Sequence, residues 1–574
     1  MAPHPLGPSL PDLVFLTLAA LLTASAGTAL TQSDGDLFAH LRMGAVILAS
    51  GQVPQASVLG VTSVGVPAVA PAWLAEVGLA LVQRHAGLGG VALVAALAIA
   101  ATHAIVAALL RRAALPLLWV VAGTAVSILL GATHWLARPH LATLLGAAAL
   151  VGLLESPGPR RWLYTVPLLA LWANLHAGFV YGLALLGAYA AGDLWDAWRT
   201  RPNPAAWTRA TWRGLTAIAG VAATALTPYG VTLHRAVWRA LRDPAVAAAM
   251  DEARPPSFHA SGDRLFLLIV LGVIAWAVSG RLPRLRTASR LVIVLSVGAG
   301  LVAGRHIALF AVTGWPLLVR AVAPRGFGMV LPGLARREAR ARVGGWSLAG
   351  AVVLATLGWT RGASAPFAVA EDGARFPTHA VEWLRQGPVG AADVVRVFTP
   401  WTWGGYLVYA WPGARAFVDP LAFGAADLAA YERILGGRPG WERELDGWGI
   451  TMVLVPTRGA VAERMRQAIA WALVYSDGTA TVFVRRNAST AATVPAGSSS
   501  CGTCPSVSNI TTRLPGMSRA NRAASVGGIS RSRPPQRMSV GRRSPRRARV
   551  SAGEPVAEKR ARSAARFPSR RARS

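Results

Sequence analysis

The sequence has almost no lysine and almost no cysteine. Its 574 residues include one lysine, Lys559, and two cysteines, Cys501 and Cys504. The Cys-Gly-Thr-Cys spacing supplies two ligands at most, so this pair does not by itself complete a four-ligand zinc site. The Ser-rich surroundings of the pair favour a chance spacing, with a redox or metal role as the alternative.

Charged residues are also scarce. They make up 15% of the chain, against about 25% in soluble domains, while hydrophobic residues reach 53% and the mean hydropathy is +0.42. This composition excludes a soluble protein and predicts several membrane spans. The net charge is +32, and residues 487–574 supply half of the excess with 17 Arg and one Lys against two Glu. The remainder fits the positive-inside rule and does not indicate nucleic-acid binding.

About eleven apolar segments approach the roughly 20 residues that a membrane helix needs. They lie near residues 13–31, 87–110, 114–133, 141–155, 162–175, 177–192, 214–228, 264–279, 289–304, 306–323 and 345–361. With the N-terminus inside, the inner loops hold about 18 Arg and the outer loops about nine, which predicts a cytoplasmic N-terminus. The first segment has an alternative interpretation as a cleaved signal peptide. Residues 1–362 are therefore predicted to form a mainly α, polytopic transmembrane helical bundle.

The composition changes after residue 362. Residues 363–486 are mixed and polar, and they predict a small α/β domain on the outer side of the membrane. Buried strands are expected at 394–398 and 451–455, and helices at 378–386, 425–435 and 459–473. Residues 487–574 are rich in Ser, Arg and Pro and predict a disordered basic tail. This tail is either an unconstrained extension or a contact for anionic envelope components.

Polar and ionisable residues gather at the predicted outer ends of the spans. Asp34, Asp36 and His40 follow the first span, and the later outer loops add His134, Arg138, His140, Asn174, His176, Asp251, Glu252, Arg254, Arg305 and His306. Ionisable groups at membrane depth are costly and are often functional, so this grouping predicts a site. We expect the two aspartates to be hydrated rather than paired in a dry core. Helix capping, interhelical hydrogen bonding and snorkelling are the structural alternatives.

Several short motifs carry a family resemblance. They are Asp34-Gly-Asp36-Leu-Phe-Ala-His40, Gly51-Gln-Val-Pro54, Ala72-Trp73-Leu-Ala-Glu76, Trp172-Ala-Asn174-Leu-His176-Ala-Gly178, Thr227-Pro228-Tyr229-Gly230, Trp403-Gly404-Gly405-Tyr406 and Phe417-Val-Asp419. Together they resemble bacterial members of the GT-C superfamily of glycosyltransferases, which use sugars linked to polyprenyl phosphate. Protein O-mannosyltransferases and lipid A aminoarabinose transferases belong to that superfamily. The resemblance covers roughly residues 10–486.

The resemblance implies a polyprenyl-phosphate-linked sugar as donor, a membrane-lipid environment and an envelope glycan, lipid or protein as acceptor, without nucleic acid. By position, Asp34 or Asp36 would act as the general base. Arg138 and Arg305 would bind the donor phosphate. The donor sugar or its phosphate would be oriented by His40, His140, Asn174 and His176. No cofactor is certain, and a divalent metal ion held by the two aspartates is the alternative to a metal-free base.

Two other functional classes compete with a transferase. A transporter or flippase for lipid-linked glycans would place charges at the bilayer midplane on internally repeated halves, whereas here they lie at span ends and no repeat is evident. A non-catalytic envelope assembly protein would use the outer domain to bind a sugar or a protein partner. The tryptophans that suit such a surface, and that are equally suited to a domain core, are Trp401, Trp403, Trp411, Trp441 and Trp448.

Overall fold

The computed structural model describes residues 7–156, 162–244, 251–279, 285–323, 332–361, 369–386 and 394–486. The described chain is mainly helical and ends in a small mixed sheet, in agreement with the predicted fold class. The predicted disordered tail, with Cys501 and Cys504, lies outside the described residues. The division of the chain at residues 362 and 486 stays a prediction.

The helices before the sheet are the following. They are α1 (Leu10–Ser25), α2 (Gly27–Gln32), α3 (Asp36–Ser50), α4 (Trp73–Arg112), α5 (Leu117–Gly131), α6 (Leu141–Leu154), α7 (Trp162–Leu175), α8 (Phe179–Arg199), α9 (Pro204–Ala223), α10 (Val231–Arg242), α11 (Ser261–Val278), α12 (Thr287–Val302), α13 (Ile307–Val312), α14 (Gly314–Val322), α15 (Pro332–Arg340) and α16 (Gly345–Arg361).

Three helical stretches of the described residues are long and apolar enough to cross a membrane: Trp73–Arg112, Leu117–His134 and Ser261–Val278. Shorter apolar helices include α1, α6 and α12. These helices and the composition indicate a membrane protein, while the count of eleven spans stays a prediction. Gly87 interrupts α4 with a φ of 63°, a backbone conformation that glycine adopts without steric cost. The predicted span 87–110 therefore begins at a real break, although the helix itself begins at Trp73.

The last part of the chain forms a five-stranded sheet with its own helices. Its elements are α17 (Thr378–Gln386), β1 (Val395–Phe398), α18 (Trp401–Ala410), β2 (Ala414–Ala416), α19 (Ala425–Gly436), α20 (Trp441–Gly447), β3 (Met452–Pro456), α21 (Ala460–Gln467), β4 (Trp471–Ser476) and β5 (Ala480–Arg485). The strand order is β2-β1-β3-β5-β4. β1 pairs with β2 and β3 in parallel, and β5 pairs with β3 and β4 antiparallel. This is the α/β arrangement that the sequence predicts.

The helix predicted at 459–473 is wrong over its second half. α21 ends at Gln467, and β4 begins at Trp471. The run Trp471-Ala-Leu-Val-Tyr475 is rich in aromatic and β-branched residues, which suit a strand better than a helix. Pairing with β5 supplies its backbone hydrogen bonds, and that long-range contact overrides the helical pattern.

Two glycines bring the aspartate loop into direct backbone contact with α18. A Cβ atom on Gly405 would overlap the carbonyl oxygen of Gly35, and a Cβ on Gly35 would overlap the carbonyl oxygen of Thr402. Phe38 packs edge-on against Tyr406, with 5.2 Å between ring centroids, and against Phe376 at 5.1 Å. The Asp-Gly-Asp and Gly-Gly motifs therefore hold the loop between α2 and α3 against α18.

We predict that Gly405→Ala lowers the melting temperature of the detergent-purified protein, because the added methyl group displaces one of two backbones and overpacking costs about 1–3 kcal/mol. Gly404→Ala is the matched control. Its Cβ would meet the Ala416 methyl at an ordinary 3.5 Å. The control should be neutral or slightly more stable, since alanine favours a helix over glycine by about 1 kcal/mol. Equal melting temperatures for the two variants would contradict the described contact.

Candidate functional site

The loop between α5 and α6 places Arg138 at the centre of the site. The N–H of Ala137 donates to the carbonyl oxygen of Leu30 at 2.7 Å, which ties this loop to the end of α2. The Arg138 side chain is only 12% exposed. A buried guanidinium requires anionic partners, because its charge is otherwise left without solvation.

Asp34 and Asp36 are those partners. Arg138 Nη1 donates to Asp36 Oδ2 at 2.6 Å, and Nη2 donates to Asp34 Oδ2. The N–H of Asp36 donates to Asp34 Oδ1 at 3.0 Å, so both oxygens of Asp34 accept hydrogen bonds. The two carboxylates are 29% and 33% exposed. The ion pairs with Arg138 were not expected from the sequence.

Glu252 is a third carboxylate of this cluster and bridges two arginines. Its Oε2 lies 3.4 Å from Arg138 Nη2, and its Oε1 lies 3.5 Å from Arg305 Nη1. The cluster therefore combines three carboxylates with two guanidinium groups. Burial raises the pKa of the Asp36 carboxyl, Arg138 opposes that shift, and the neighbouring Asp34 carboxylate adds to it.

His140 lies beside the cluster without contacting its carboxylates. Its Nε2 is 3.1 Å from the carbonyl oxygen of His134, and the two imidazole rings are 4.4 Å apart between centroids. Burial lowers the pKa of His140 well below its ordinary value, and the neighbouring His134 and Arg138 add to this shift. His140 is therefore neutral at pH 7, and it supports the loop that carries Arg138.

His176 is held in one tautomer by its neighbours. Its Nδ1 accepts the N–H of Gly178 at 3.0 Å and lies 2.8 Å from Thr143 Oγ1. Burial lowers the pKa of His176 to about 3, so the ring is neutral at pH 7. Because Nδ1 is an acceptor, the proton of the neutral ring lies on Nε2. His176 therefore offers one hydrogen-bond donor.

Asn174, also a predicted site residue, has a structural set of contacts. Trp73 Nε1 donates to its Oδ1 at 2.9 Å, and its Nδ2 donates to the carbonyl oxygens of Ala170 at 2.8 Å and Leu226 at 2.9 Å. These hydrogen bonds join α4, α7 and the segment after α9. These contacts are the interhelical hydrogen bonds considered from the sequence, and a role of Asn174 in donor binding stays a prediction.

A cavity of about 110 Å³ lies next to the cluster. Its polar lining residues are His40, Ser57, Glu76, His176 and Asp419, and the remaining lining is apolar. His40 lies one helical turn after Asp36 on α3, so the two side chains share a face of that helix. The cavity and the ion cluster are thus neighbouring parts of one site.

Glu76 is the functional candidate that the sequence reasoning missed. Its side chain is 2% exposed, and its Oε1 lies 2.8 Å from His40 Nδ1. Its Oε2 is buried without a hydrogen-bond partner among the described residues. Leaving such an oxygen unpaired costs about 1–3 kcal/mol, more for a charged group. A lone acid in the first turn of a 40-residue apolar helix was the available signal.

Asp419 closes the cavity from the sheet region. Its carboxylate accepts the N–H groups of Leu59 at 3.2 Å, Leu421 at 2.8 Å and Ala422 at 3.1 Å, and also the Ser57 hydroxyl. Burial raises the pKa of Asp419, against the effect of these donors. Its two oxygens are fully used, so Asp419 fixes the wall of the cavity to the segment before α4.

In the described part of the chain, no three His, Cys, Asp or Glu side chains are placed to share a metal ion. Oxygens of both aspartates face the Arg138 guanidinium instead.

No family model and no curated protein matches this chain. Three similar solved structures are the following.

An Archaeoglobus fulgidus oligosaccharyltransferase tethered to an acceptor peptide is 12% identical, with a TM-score of 0.47, over 83% of this chain and 74% of that one. The mycobacterial arabinofuranosyltransferase AftD is 14% identical, with a TM-score of 0.45, over 83% of this chain and 39% of that one. ArnT from Cupriavidus metallidurans bound to undecaprenyl phosphate is 12% identical, with a TM-score of 0.43, over 82% and 97%.

All three structures are less than 25% identical to this chain. With TM-scores under 0.5, they assign neither a substrate nor a reaction to this chain.

Proposed function

We propose that the protein transfers a sugar from a polyprenyl-phosphate donor to an envelope acceptor at the outer face of the bacterial inner membrane. In this proposal the N-terminus is cytoplasmic and residues 363–574 are extracytoplasmic. The observation that carries the proposal is the cluster of Arg138 with Asp34 and Asp36. It places a cation and a carboxylate side by side at the ends of apolar helices, where a lipid phosphate and a hydrated acceptor meet.

Asp36 is the proposed general base. Its Oδ2 accepts from Arg138, while no described residue donates to its Oδ1, and the side chain is 33% exposed. Oδ1 can therefore accept the proton of an acceptor hydroxyl as that oxygen attacks the anomeric carbon of the donor sugar. The bond from this carbon to the phosphate oxygen breaks at the same centre. The raised pKa of Asp36 brings the carboxylate closer to the range in which a base is effective.

Asp34 positions the other groups. Both of its oxygens are used, one by Arg138 and one by the N–H of Asp36. Asp34 therefore fixes the position of the Arg138 guanidinium relative to Asp36, and it does not take a proton itself. The proposal thus assigns the general base to Asp36 and the positioning role to Asp34, a choice that the sequence left open.

Arg138 and Arg305 are proposed to receive the donor phosphate. Each contacts one oxygen of Glu252, at 3.4 Å for Arg138 and 3.5 Å for Arg305, and the Arg138 contact is longer than its 2.6 Å contact with Asp36. A phosphate group carries the same type of acceptor oxygens and a comparable charge. Glu252 therefore lies where the phosphate would bind, and it would move aside when the donor enters.

The cavity beside the cluster is proposed to receive hydroxyl groups of the sugar. The buried Oε2 of Glu76 offers an acceptor, and Nε2 of His176 offers a donor. Such a pair suits a hydroxyl, which donates and accepts at once. His40 holds Glu76 in place through its 2.8 Å contact.

The proposal is tested with the full-length protein in liposomes that contain a panel of radiolabelled polyprenyl-phosphate sugars. We expect release of free polyprenyl phosphate with at least one donor in the presence of an envelope extract. Glu382→Gln is a suitable control, because Glu382 is 54% exposed and pairs with Arg385. If no donor is turned over, transport or assembly of envelope glycans becomes the better account.

We predict that Glu252→Gln strengthens binding of undecaprenyl phosphate about two- to fivefold, the effect of removing one partly exposed like charge. Glu252 is 30% exposed, and its charge competes with the phosphate for Arg138 and Arg305. The affinity is measured by titration in detergent at low salt, with Glu382→Gln beside it. Weaker binding by Glu252→Gln than by the control would mean that Glu252 supports the phosphate site rather than occupies it.

A further inference from the structure

A second charge cluster lies outside the site described above, around Asp193 on α8. The Asp193 carboxylate is fully buried and contacts three arginines: Arg213 Nε at 3.1 Å, Arg209 Nε at 3.5 Å and Arg286 Nη2 at 2.5 Å. Arg209 and Arg213 belong to α9, and Arg286 immediately precedes α12. One anion therefore faces three cations, so the cluster has a net positive charge.

Asp196, one helical turn after Asp193 on α8, has other hydrogen-bond partners. Asp196 accepts the N–H of Thr287 at 3.2 Å and its hydroxyl at 2.5 Å. It caps the start of α12 and does not neutralise the arginines. Glu155 also acts electrostatically on Arg286, but it pairs with Arg320 at 2.7 Å, so the positive charge around Asp193 remains in excess.

The three arginines differ in exposure. Arg213 is 16% exposed and also donates to the carbonyl oxygen of Leu154 at 2.6 Å. Arg209 and Arg286 are 47% and 41% exposed. Asp193 therefore fixes two guanidinium groups whose remaining N–H groups face outward. Arginines held in this way suit the recognition of phosphate oxygens, because little conformational freedom is lost on binding.

α9 carries exposed apolar side chains on the C-terminal side of Arg209. Ile218 is 70% exposed, Leu215 is 51% exposed and Trp212 is 48% exposed. With Arg209, these residues are spaced three apart, so neighbouring members of the series lie close together on the helix surface while the whole series winds about half-way around α9. The order from aliphatic side chains through tryptophan to arginine is typical of a helix that leaves the hydrocarbon core. Trp195 and Trp198 of α8 add two more half-exposed rings at 5.3 Å from each other.

We infer that Arg209 and Arg286 bind the phosphate of an anionic phospholipid headgroup. The guanidinium groups supply charge and directed N–H donors, and Asp193 fixes their positions. Trp212, which neighbours Arg209 on the surface of α9, would contact the same lipid beside its headgroup. A lipid is favoured over a free phosphate because the arginines lie next to the tryptophans that mark the interface. The inference is independent of the proposed transferase activity.

The test uses the full-length protein in a neutral detergent with added phosphatidylglycerol, phosphatidylcholine or inorganic phosphate. Thermal unfolding and native mass spectrometry report the stabilisation and the number of bound lipids. We expect stabilisation by phosphatidylglycerol alone, and an affinity about fivefold lower for each arginine replaced by glutamine. Arg199→Gln is the control, since Arg199 is exposed near the same end of α8 and makes no contact with Asp193.

Equal stabilisation of the wild type and the Arg209→Gln/Arg286→Gln variant would overturn the inference, as would a wild type that does not respond to phosphatidylglycerol. An equal response to inorganic phosphate would overturn it in favour of a free-anion site. If the double variant does not fold, the single variant Arg209→Gln decides the question by its count of bound phosphatidylglycerol. That count should fall relative to Arg199→Gln, and an unchanged count would refute the assignment.

Discussion

Replacement of Asp36 by asparagine is expected to lower the rate of sugar transfer by about 10²–10⁴-fold, the usual contribution of a general base. The amide keeps the shape of the side chain and its contact with Arg138, but it cannot accept the proton of the acceptor hydroxyl. Because the amide still contacts Arg138 and a like charge is lost, binding of undecaprenyl phosphate should not weaken. The rate is measured as release of polyprenyl phosphate in liposomes.

Asp34→Asn is the informative comparison for this result. Asp34 uses one oxygen for Arg138 and the other for the N–H of Asp36, so we assign it a positioning role. Its replacement should reduce donor affinity and rate moderately, and Asp34→Glu should restore part of the affinity. A larger loss of rate in Asp34→Asn than in Asp36→Asn, with both proteins equally folded, would reverse the assignment of the two aspartates.

Arg138→Gln is expected to have the second large effect, on donor binding and on stability together. The change leaves Asp34 and Asp36 without their shared cation and removes one of the two groups assigned to the phosphate. We expect an affinity for undecaprenyl phosphate lower by about 10²-fold and a loss of stability of about 2–3 kcal/mol. That loss lies below the range for fully buried pairs because the carboxylates are partly exposed.

The control for Arg138 is Arg385→Gln, which breaks an exposed pair at 3.2 Å with Glu382. Arg385→Gln should leave donor binding and stability close to those of the wild type, since exposed ion pairs contribute about 0–1 kcal/mol. Arg138→Lys keeps the charge but loses the two-pronged geometry, so it should recover only part of the affinity. Unchanged donor binding in Arg138→Gln would show that the phosphate binds elsewhere.

The helices and strands that the sequence predicted well are those with a local signal. α17 runs over the predicted residues 378–386, and β1 and β3 lie within one residue of the predicted strands. In each case the spacing of apolar residues is sufficient to predict the element from the sequence. β4 was missed because its strand character depends on pairing with β5, which is a long-range contact and has no local signal.

In the candidate site, too, the sequence indicates individual residues but not the long-range contacts between them. Asp34, Asp36 and Arg138 were singled out because charged residues are rare in an apolar chain, and the structure brings all three together. Their pairing was not predictable, since it depends on how the α5–α6 loop packs against α2. Glu76 belongs to one of the motifs, but the motif does not indicate a role for it. Its importance depends on the cavity beside His40, and a sequence does not reveal a cavity.

The most direct measurement is a cryo-EM structure of the full-length protein with bound undecaprenyl phosphate. The account predicts the lipid phosphate within about 2.7–3.2 Å of guanidinium nitrogens of Arg138 and Arg305, with Glu252 displaced from both. Asp36 should remain paired with Arg138 through one oxygen and face the phosphate side of the site with the other. A phosphate bound away from these arginines, with the Glu252 contacts intact, would contradict the proposed donor site.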